Sequence, residues 1–304
     1  MKITIGTRGS KLALWQAYFV EEQLKAAGAE TAIKIIHTKG DKILDRSLSK
    51  IGSKGVFTEE LEEQLRSGEI DIAVHSAKDL QSRLDDDFEI IAFTEREEVN
   101  DVLVSHKEIT LQDQITIGTS STRRVAMLRA YYPQVKIVDM RGNLQTRIGK
   151  MENGDCDALL LAYAGVHRMG YHDLIKEKIN IKQFTPAVGQ GSVAIETSKS
   201  LPTEKKELII AACNDPQTEI CLRAERSFLK EINGGCSIPV FGYAHWFDDY
   251  LLELNAGIIS LDGQKVIRVS TLLDDPIKLG KDSAEKLLNS GGKEILDEIK
   301  QQLS

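Results

Sequence analysis

The sequence predicts an α/β protein of two similar lobes around a cleft, followed by a small C-terminal α+β domain. Three observations predict it. Short strand-like runs, each followed by a polar turn and often a helical pattern, fill the first two-thirds of the chain. The early part of that region then repeats itself. Ile3-Thr4-Ile5-Gly6-Thr7 recurs word for word as Ile115-Thr116-Ile117-Gly118-Thr119. Lys34-Ile35-Ile36 with Lys39-Gly40-Asp41 returns as Lys136-Ile137-Val138 with Arg141-Gly142-Asn143. Gly68-Glu69-Ile70-Asp71 returns as Gly154-Asp155-Cys156-Asp157. Three echoes in one order imply two lobes of like topology, with equivalent strand ends facing one cleft. Finally, residues 241–270 read as antiparallel strands turning at Asp262-Gly263. The expected domains are 1–95 with 192–212, 96–191, and 213–304.

Composition sets outer limits. A chain of 304 residues suits two or three domains. Its 41% apolar and 28% charged content is that of a soluble globular protein. A net charge of −7 argues against a general nucleic-acid surface. No apolar run approaches membrane-spanning length, and Met1-Lys2-Ile3-Thr4-Ile5 reads directly as a strand, so neither a membrane span nor an export signal is expected. The four cysteines lack CxxC spacing and are expected to be reduced thiols in a cytoplasmic protein. The six histidines lack zinc-like spacing, so no metal is expected.

The strand at 3–5 runs into Gly6-Thr7-Arg8-Gly9-Ser10, then a helix with Leu12, Trp15, Phe19 and Leu24 on one side. Such a turn aims backbone N–H groups and a positive helix end at an anion. Arg8 adds a fixed charge. After the strand 33–36 and the segment Gly52-Ser53-Lys54-Gly55-Val56-Phe57, Thr58 is placed to cap an acidic helix that Gly68 ends. The strand 70–74 delivers His75-Ser76-Ala77-Lys78-Asp79 to its carboxyl end, where parallel α/β sheets bind ligands. The second lobe carries more positive charge at its strand ends. Ser120-Ser121-Thr122-Arg123-Arg124 opens a helix, Arg141 and Arg147 flank the matching loop, and Arg168 follows the next strand. Arginine forks hold carboxylates bidentately, so an acidic protein with this concentrated wall suits a polyanionic small molecule. Residues 185–192 cross back to the first lobe. A helix with Ile220, Ala224, Phe228 and Ile232 every four residues then stops at Asn233 or Gly234 and presents Cys236 on a short loop. Two helices, near 277–290 and 292–303, complete the chain.

These stretches together resemble the porphobilinogen deaminase (hydroxymethylbilane synthase) family. The matching motifs are Gly6-Thr7-Arg8 with Ser10 and Leu12 to Ala17, Lys54 to Phe57, Val74 to Asp79, Gly118 to Arg124, Arg141-Gly142-Asn143 with Thr146-Arg147, Pro186 to Gly191, and Ala224-Glu225-Arg226 through Cys236. They span all three expected domains. The resemblance implies a transferase of tetrapyrrole biosynthesis, with lobes like those of periplasmic binding proteins. It would join four porphobilinogen molecules head to tail, with loss of ammonia, into linear hydroxymethylbilane. It also implies a dipyrromethane cofactor held by a thioether to Cys236, a small-molecule substrate, and a monomer. By position it makes Asp79 the catalytic carboxylate, stabilising cationic character and passing protons. It assigns cofactor contacts to Asp41, Lys54, Lys78, Ser121, Arg123, Arg124 and Arg141, and substrate contacts to Arg8, Ser10, Arg147, Arg168 and Gln190. Each pyrrole brings two carboxylates, which agrees with the arginine-rich strand ends.

Two positions depart from the family pattern. Glu59 stands where lysine is common, and Val99-Asn100 replaces Pro-Arg before Asp101. Two other readings stand beside the resemblance. Duplicated α/β lobes also describe non-catalytic anion-binding proteins, against which stands the extra domain carrying Gly235-Cys236. A cysteine-nucleophile acyl transferase would want a histidine base near Cys236, and His245 is the one nearby in sequence.

Overall fold

The computed structural model describes residues 1–38, 58–234 and 237–303. In chain order the first elements are β1 (Lys2–Arg8), α1 (Lys11–Ala26), β2 (Glu30–Ile36), α2 (Glu59–Ser67), β3 (Ile72–Ser76), a 3-10 turn (Ala77–Asp79) and β4 (Phe88–Phe93). Then come β5 (Asp101–Val104), β6 (Thr116–Gly118), α3 (Thr122–Tyr131), β7 (Lys136–Val138), α4 (Leu144–Glu152), β8 (Ala158–Ala162), α5 (Tyr163–Arg168) and β9 (Ile175–Lys178). The chain continues through β10 (Val193–Ser198), α6 (Thr203–Cys213), α7 (Pro216–Glu231), β11 (Val240–Trp246), β12 (Leu252–Ile259) and β13 (Val266–Leu273). It ends in α8 (Pro276–Leu287) and α9 (Lys293–Leu303).

The strands form two five-stranded sheets of matching order, β2-β1-β3-β10-β4 and β7-β6-β8-β5-β9, and a three-stranded sheet, β11-β12-β13. In each large sheet the first three strands are parallel, and the fourth runs antiparallel to both neighbours. The repeated words in the sequence have a physical cause. Thr4 N donates to Asp71 Oδ2 at 2.8 Å, and Asp71 N donates back to Thr4 O at 2.9 Å. Thr116 and Asp157 make the same pair of bonds, each 2.9 Å long. These bonds set the entry of the third strand beside the first. Gly6 and Gly118 are needed in the same place. A Cβ on Gly6 would lie 2.3 Å from Ile70 Cδ1, and one on Gly118 would lie 2.9 Å from Leu159 Cδ2.

Contacts divide the chain into two compact units. One takes in residues 1–38, 58–97 and 191–220, and the other 98–190 and 221–303. In the first, Ile3, Ile5, Ile72, Val74 and Ile195 pack under α1 and α6, while Leu61 and Leu65 of α2 cover the other face with Ile36 and Ile70. Burial on both faces explains the continuous apolar runs of these strands. In the second, Phe241 and Ile259 of the small sheet join the core formed by Leu103, Ile117, Met127 and Leu160. The small C-terminal domain thus shares a core with the second lobe.

Several sequence expectations change in detail. Of the α1 stripe Leu12, Trp15, Phe19 and Leu24, only Leu24 is buried; the inward face is Gln16, Ala17, Val20 and Leu24. The smaller side chains let the helix lie close on the sheet, and Trp15 stacks on Phe19 outside it, with centroids 5.3 Å apart. Strand β3 extends to Ser76, because β10 pairs with it through Val193 opposite Ser76. Thr58 takes the N-cap position of α2 without a side-chain capping bond. Gly68 ends that helix at φ 75°, and Asn233 adopts φ 48° just after α7. The last two helices meet at a kink where Gly291 has φ 100°.

Helix α8 crosses α7 at a glycine. A Cβ at Gly280 would lie 2.5 Å from Ala224 O and 2.6 Å from Phe228 N, both backbone atoms that cannot swing aside. Overpacking of this kind costs about 1–3 kcal/mol or more. Gly280→Ala is expected to lower the urea midpoint of the chain more than Gly118→Ala, whose Cβ would meet only side-chain ends. Equal midpoints for the two variants would contradict the close helix crossing.

Candidate active site and cofactor-binding residues

Parallel neighbouring strands end on the same sheet edge, so topology alone gathers the candidate residues within each unit. In the first unit β1 ends at Arg8, and β3, its parallel neighbour, runs into Ala77–Asp79. Ser10 caps α1, its Oγ accepting from Ala13 N at 3.3 Å. Gln16 Nε2 donates to Ser76 Oγ at 2.8 Å and ties α1 to the end of β3. Ala77 N donates to Ser192 O at 3.0 Å, which fixes the start of the 3-10 turn. On this support Lys78 is half-buried and Asp79 is exposed. Behind the turn His75 Nε2 lies 2.9 Å from Glu196 Oε2, both side chains buried. Burial also raises the Glu62 carboxyl, with the Glu196 charge adding to the rise.

In the second unit β6, β7 and β8 are parallel and end on one edge. Ser121 caps α3, accepting from Arg124 N at 3.5 Å. Asn143 caps α4, accepting from Thr146 N at 2.9 Å. Arg141 follows β7, Arg147 Nε donates to Gly142 O at 2.8 Å, and Arg168 closes α5.

Arg123 and Arg124 are not open surface charges, as a wall of arginines would have them. They are 5% and 6% exposed, and both grip Asp101, which is 0% exposed. Arg123 Nη2 donates to Asp101 Oδ2 at 2.7 Å. Arg124 donates to Asp101 Oδ1 through Nη2 at 2.7 Å and Nε at 3.1 Å. Backbone carbonyls take the remaining forks: Thr185 O accepts from Arg123 Nη1 at 2.8 Å, and Leu160 O from Arg124 Nη1 at 3.0 Å. Gln190, 1% exposed, donates from Nε2 to Asp101 Oδ1 at 3.0 Å and to Val99 O at 2.7 Å. Burial alone would raise the Asp101 carboxyl, but the two guanidiniums overcome it and hold the group well below the usual carboxylate range. Burial lowers Arg123, and Asp101 opposes the drop.

Two cations and one anion leave this cluster with one excess positive charge. Arg123 Nε and Arg141 Nη1 are buried without a hydrogen-bond partner among the described residues. Buried donors of this kind call for acceptors. The arrangement therefore suits a ligand rich in carboxylates. Asp101 was legible only as an aspartate after the first lobe; nothing in its local sequence announces two arginine partners more than twenty residues away. Cys236, Asp41 and Lys54 lie outside the described residues.

The fold and these residues describe a two-lobed α/β protein with a duplicated strand edge and a buried arginine pair in its second unit. The comparisons give the family. The description "Porphobilinogen deaminase, dipyromethane cofactor binding domain" matches residues 3–206, and "Porphobilinogen deaminase, C-terminal domain" matches residues 219–289. A porphobilinogen deaminase of Cytophaga hutchinsonii is 60% identical across 99% of this chain and 98% of its own. One of Desulfosudis oleivorans is 52% identical across 99% of both. The chain belongs to the porphobilinogen deaminase family, and dipyrromethane is its cofactor.

Removing one partner of a buried ion pair costs about 3–5 kcal/mol. Asp101→Asn is therefore expected to lower stability by several kcal/mol at neutral pH, measured by urea unfolding. The folded carboxyl titrates below its unfolded value of about 4. Its contribution is thus complete above that pH and is lost as pH falls through the folded value. The difference between parent and variant should narrow in acid. A constant difference from pH 7 to pH 2.5 would contradict the pairing.

Proposed function

We propose that the chain makes linear hydroxymethylbilane from four porphobilinogen molecules, releasing one ammonia at each joining and taking up one water as the product's bond to the cofactor is cleaved, with Asp79 as the catalytic carboxylate. The family membership supports the reaction. The observation that supports the cofactor contacts is the buried Asp101–Arg123–Arg124 cluster with its excess charge and unmatched donors; Asp79 is assigned by its match to the family motif and its exposed place at the end of β3. A dipyrromethane has four carboxylates, and these residues fit it. When bound, it supplies the terminal pyrrole carbon to which the first substrate is joined.

Arg123, Arg124 and Arg141, with Ser121 at the helix start, hold carboxylates of the cofactor. Lys78 serves the same group from the first lobe, as do Asp41 and Lys54 in this reading. Cys236 is its attachment point through a thioether. Arg8, Ser10, Arg147, Arg168 and Gln190 orient the incoming substrate; Ser10 and Gln190 do so while capping α1 and holding Asp101. Asp79 accepts hydrogen bonds from pyrrole N–H groups. It stabilises the positive charge that develops on the substrate as ammonia departs, and it carries a proton between the reacting atoms. In this reading the protein works as a cytoplasmic monomer. Among the described residues no helix is long and apolar enough to cross a membrane.

Loss of a preorganised electrostatic or acid–base group costs about 10²–10⁴ in rate. Asp79→Asn is expected to fold and carry the cofactor yet consume porphobilinogen at least a hundredfold more slowly. Asp79→Glu, with its charge displaced by one methylene, should retain measurable turnover. A folded, loaded Asp79→Asn enzyme within tenfold of the parent would remove Asp79 from the chemistry.

A further inference from the structure

The motif Ala224-Glu225-Arg226 has no part in the assignments above, yet Glu225 is 0% exposed in the middle of α7. A carboxylate buried this deeply needs strong donors. Two of its donors come from different segments. Gly189 N donates to Glu225 Oε2 at 2.8 Å, and Ala244 N donates to Oε1 at 2.8 Å. The first donor belongs to residues 185–190 of the second lobe, and the other to β11 of the C-terminal domain. Beside this bridge Gly242 N donates to Pro186 O at 3.1 Å. Arg268 of β13 grips the start of the same segment, donating from Nη1 to Thr185 Oγ1 at 2.8 Å while its guanidinium lies 4.7 Å from the Phe241 ring centroid.

This bridged segment supplies two direct partners of the arginine cluster. Thr185 O accepts from Arg123, and Gln190 Nε2 donates to Asp101. Between them Gly189 takes φ 77°, a left-handed turn, and Gln190 N bonds to Ala187 O at 3.1 Å. The turn's shape depends on what holds Gly189 and Thr185 in place. Thr185 Oγ1 donates to Ile181 O at 3.0 Å within the lobe, and the C-terminal domain adds a hold at each of the two residues.

We infer that Glu225 is a positioning residue for the Asp101–Arg123–Arg124 cluster: through Gly189 it fixes the turn that aims Gln190 at Asp101, and so keeps both guanidiniums poised for cofactor carboxylates. The inference rests on the assignment of that cluster to the cofactor. It also gives the C-terminal domain a task besides carrying Cys236. Its helix α7 sets the geometry of the second lobe's anion-binding residues.

The test compares the full-length parent with Glu225→Gln, Gln190→Ala and the double variant. The readouts are the ratio of cofactor-loaded to unloaded chain by intact mass, the KM and kcat for porphobilinogen per loaded molecule, and circular dichroism. Glutamine keeps the shape but turns an amide N–H₂ toward one of the two donors. A lost charge-assisted bond predicts a fall of about tenfold or more in the loaded-to-unloaded ratio of folded Glu225→Gln. The kcat of the loaded remainder should stay close to the parent's, while KM rises, because Gln190 also orients the incoming substrate. The double variant should load no worse than Gln190→Ala, because both changes act through one turn. Parent-like loading in folded Glu225→Gln, or losses that multiply in the double variant, would overturn the role. A parent chain without the cofactor mass would overturn the cofactor assignment instead. If Glu225→Gln does not fold, Arg268→Gln approaches the same segment from Thr185. The loading defect is expected there too, and its absence would count against the inference.

Discussion

One buried carboxylate organises the second lobe. Asp101 sits at the start of β5, opposite Ala162 at the end of β8, with no exposure to solvent. In that setting a single arginine would neutralise it; two leave a net positive charge in the low-dielectric interior. Such a charge is costly unless an anion arrives, and the unmatched Arg123 and Arg141 donors point the same way. Asp101 thus does two things. It makes burial of the arginines tolerable, and it holds their forks in fixed orientation before any ligand binds. Preorganised donors of this kind avoid the reorganisation that mobile surface arginines would need.

The duplication explains how one chain came to hold different chemistry at equivalent places. The Thr4–Asp71 and Thr116–Asp157 bonds are the same device, used to set the third strand of each sheet. Beyond that device the lobes diverge. Antiparallel β5 carries Asp101 between two arginines, whereas the corresponding β10 carries Glu196 against His75. Both pairs lie buried near the ends of the parallel strands. One sits among the groups proposed to hold the cofactor, and the other lies behind the turn that exposes Asp79.

Much of this was readable in the sequence because it is local. The repeated words located both lobes. Gly68 and Asn233 marked helix ends by their left-handed conformation, and Arg8 and Asp79 stand at the ends of parallel strands as the strand pattern has them. What was not readable depends on contacts between distant segments. The inward face of α1 was misjudged because Gln16, a polar residue, faces inward to reach Ser76. Arg123 and Arg124 read as open charges because their partner lies on a strand of opposite direction. Glu225 stood out only as part of a matching motif, since the donors Gly189 N and Ala244 N come from a turn and a strand distant in the chain. Charge pairing and burial are settled by topology, and topology is only partly written in periodicity.

The most direct measurement is the intact mass of the purified chain beside that of Cys236→Ser, each with circular dichroism to show that it is folded. The account predicts a parent heavier than its sequence by two porphobilinogens less two ammonias, and a folded Cys236→Ser chain without that increment. A parent at the bare sequence mass would contradict a covalent cofactor, and an increment retained in Cys236→Ser would contradict its attachment at Cys236.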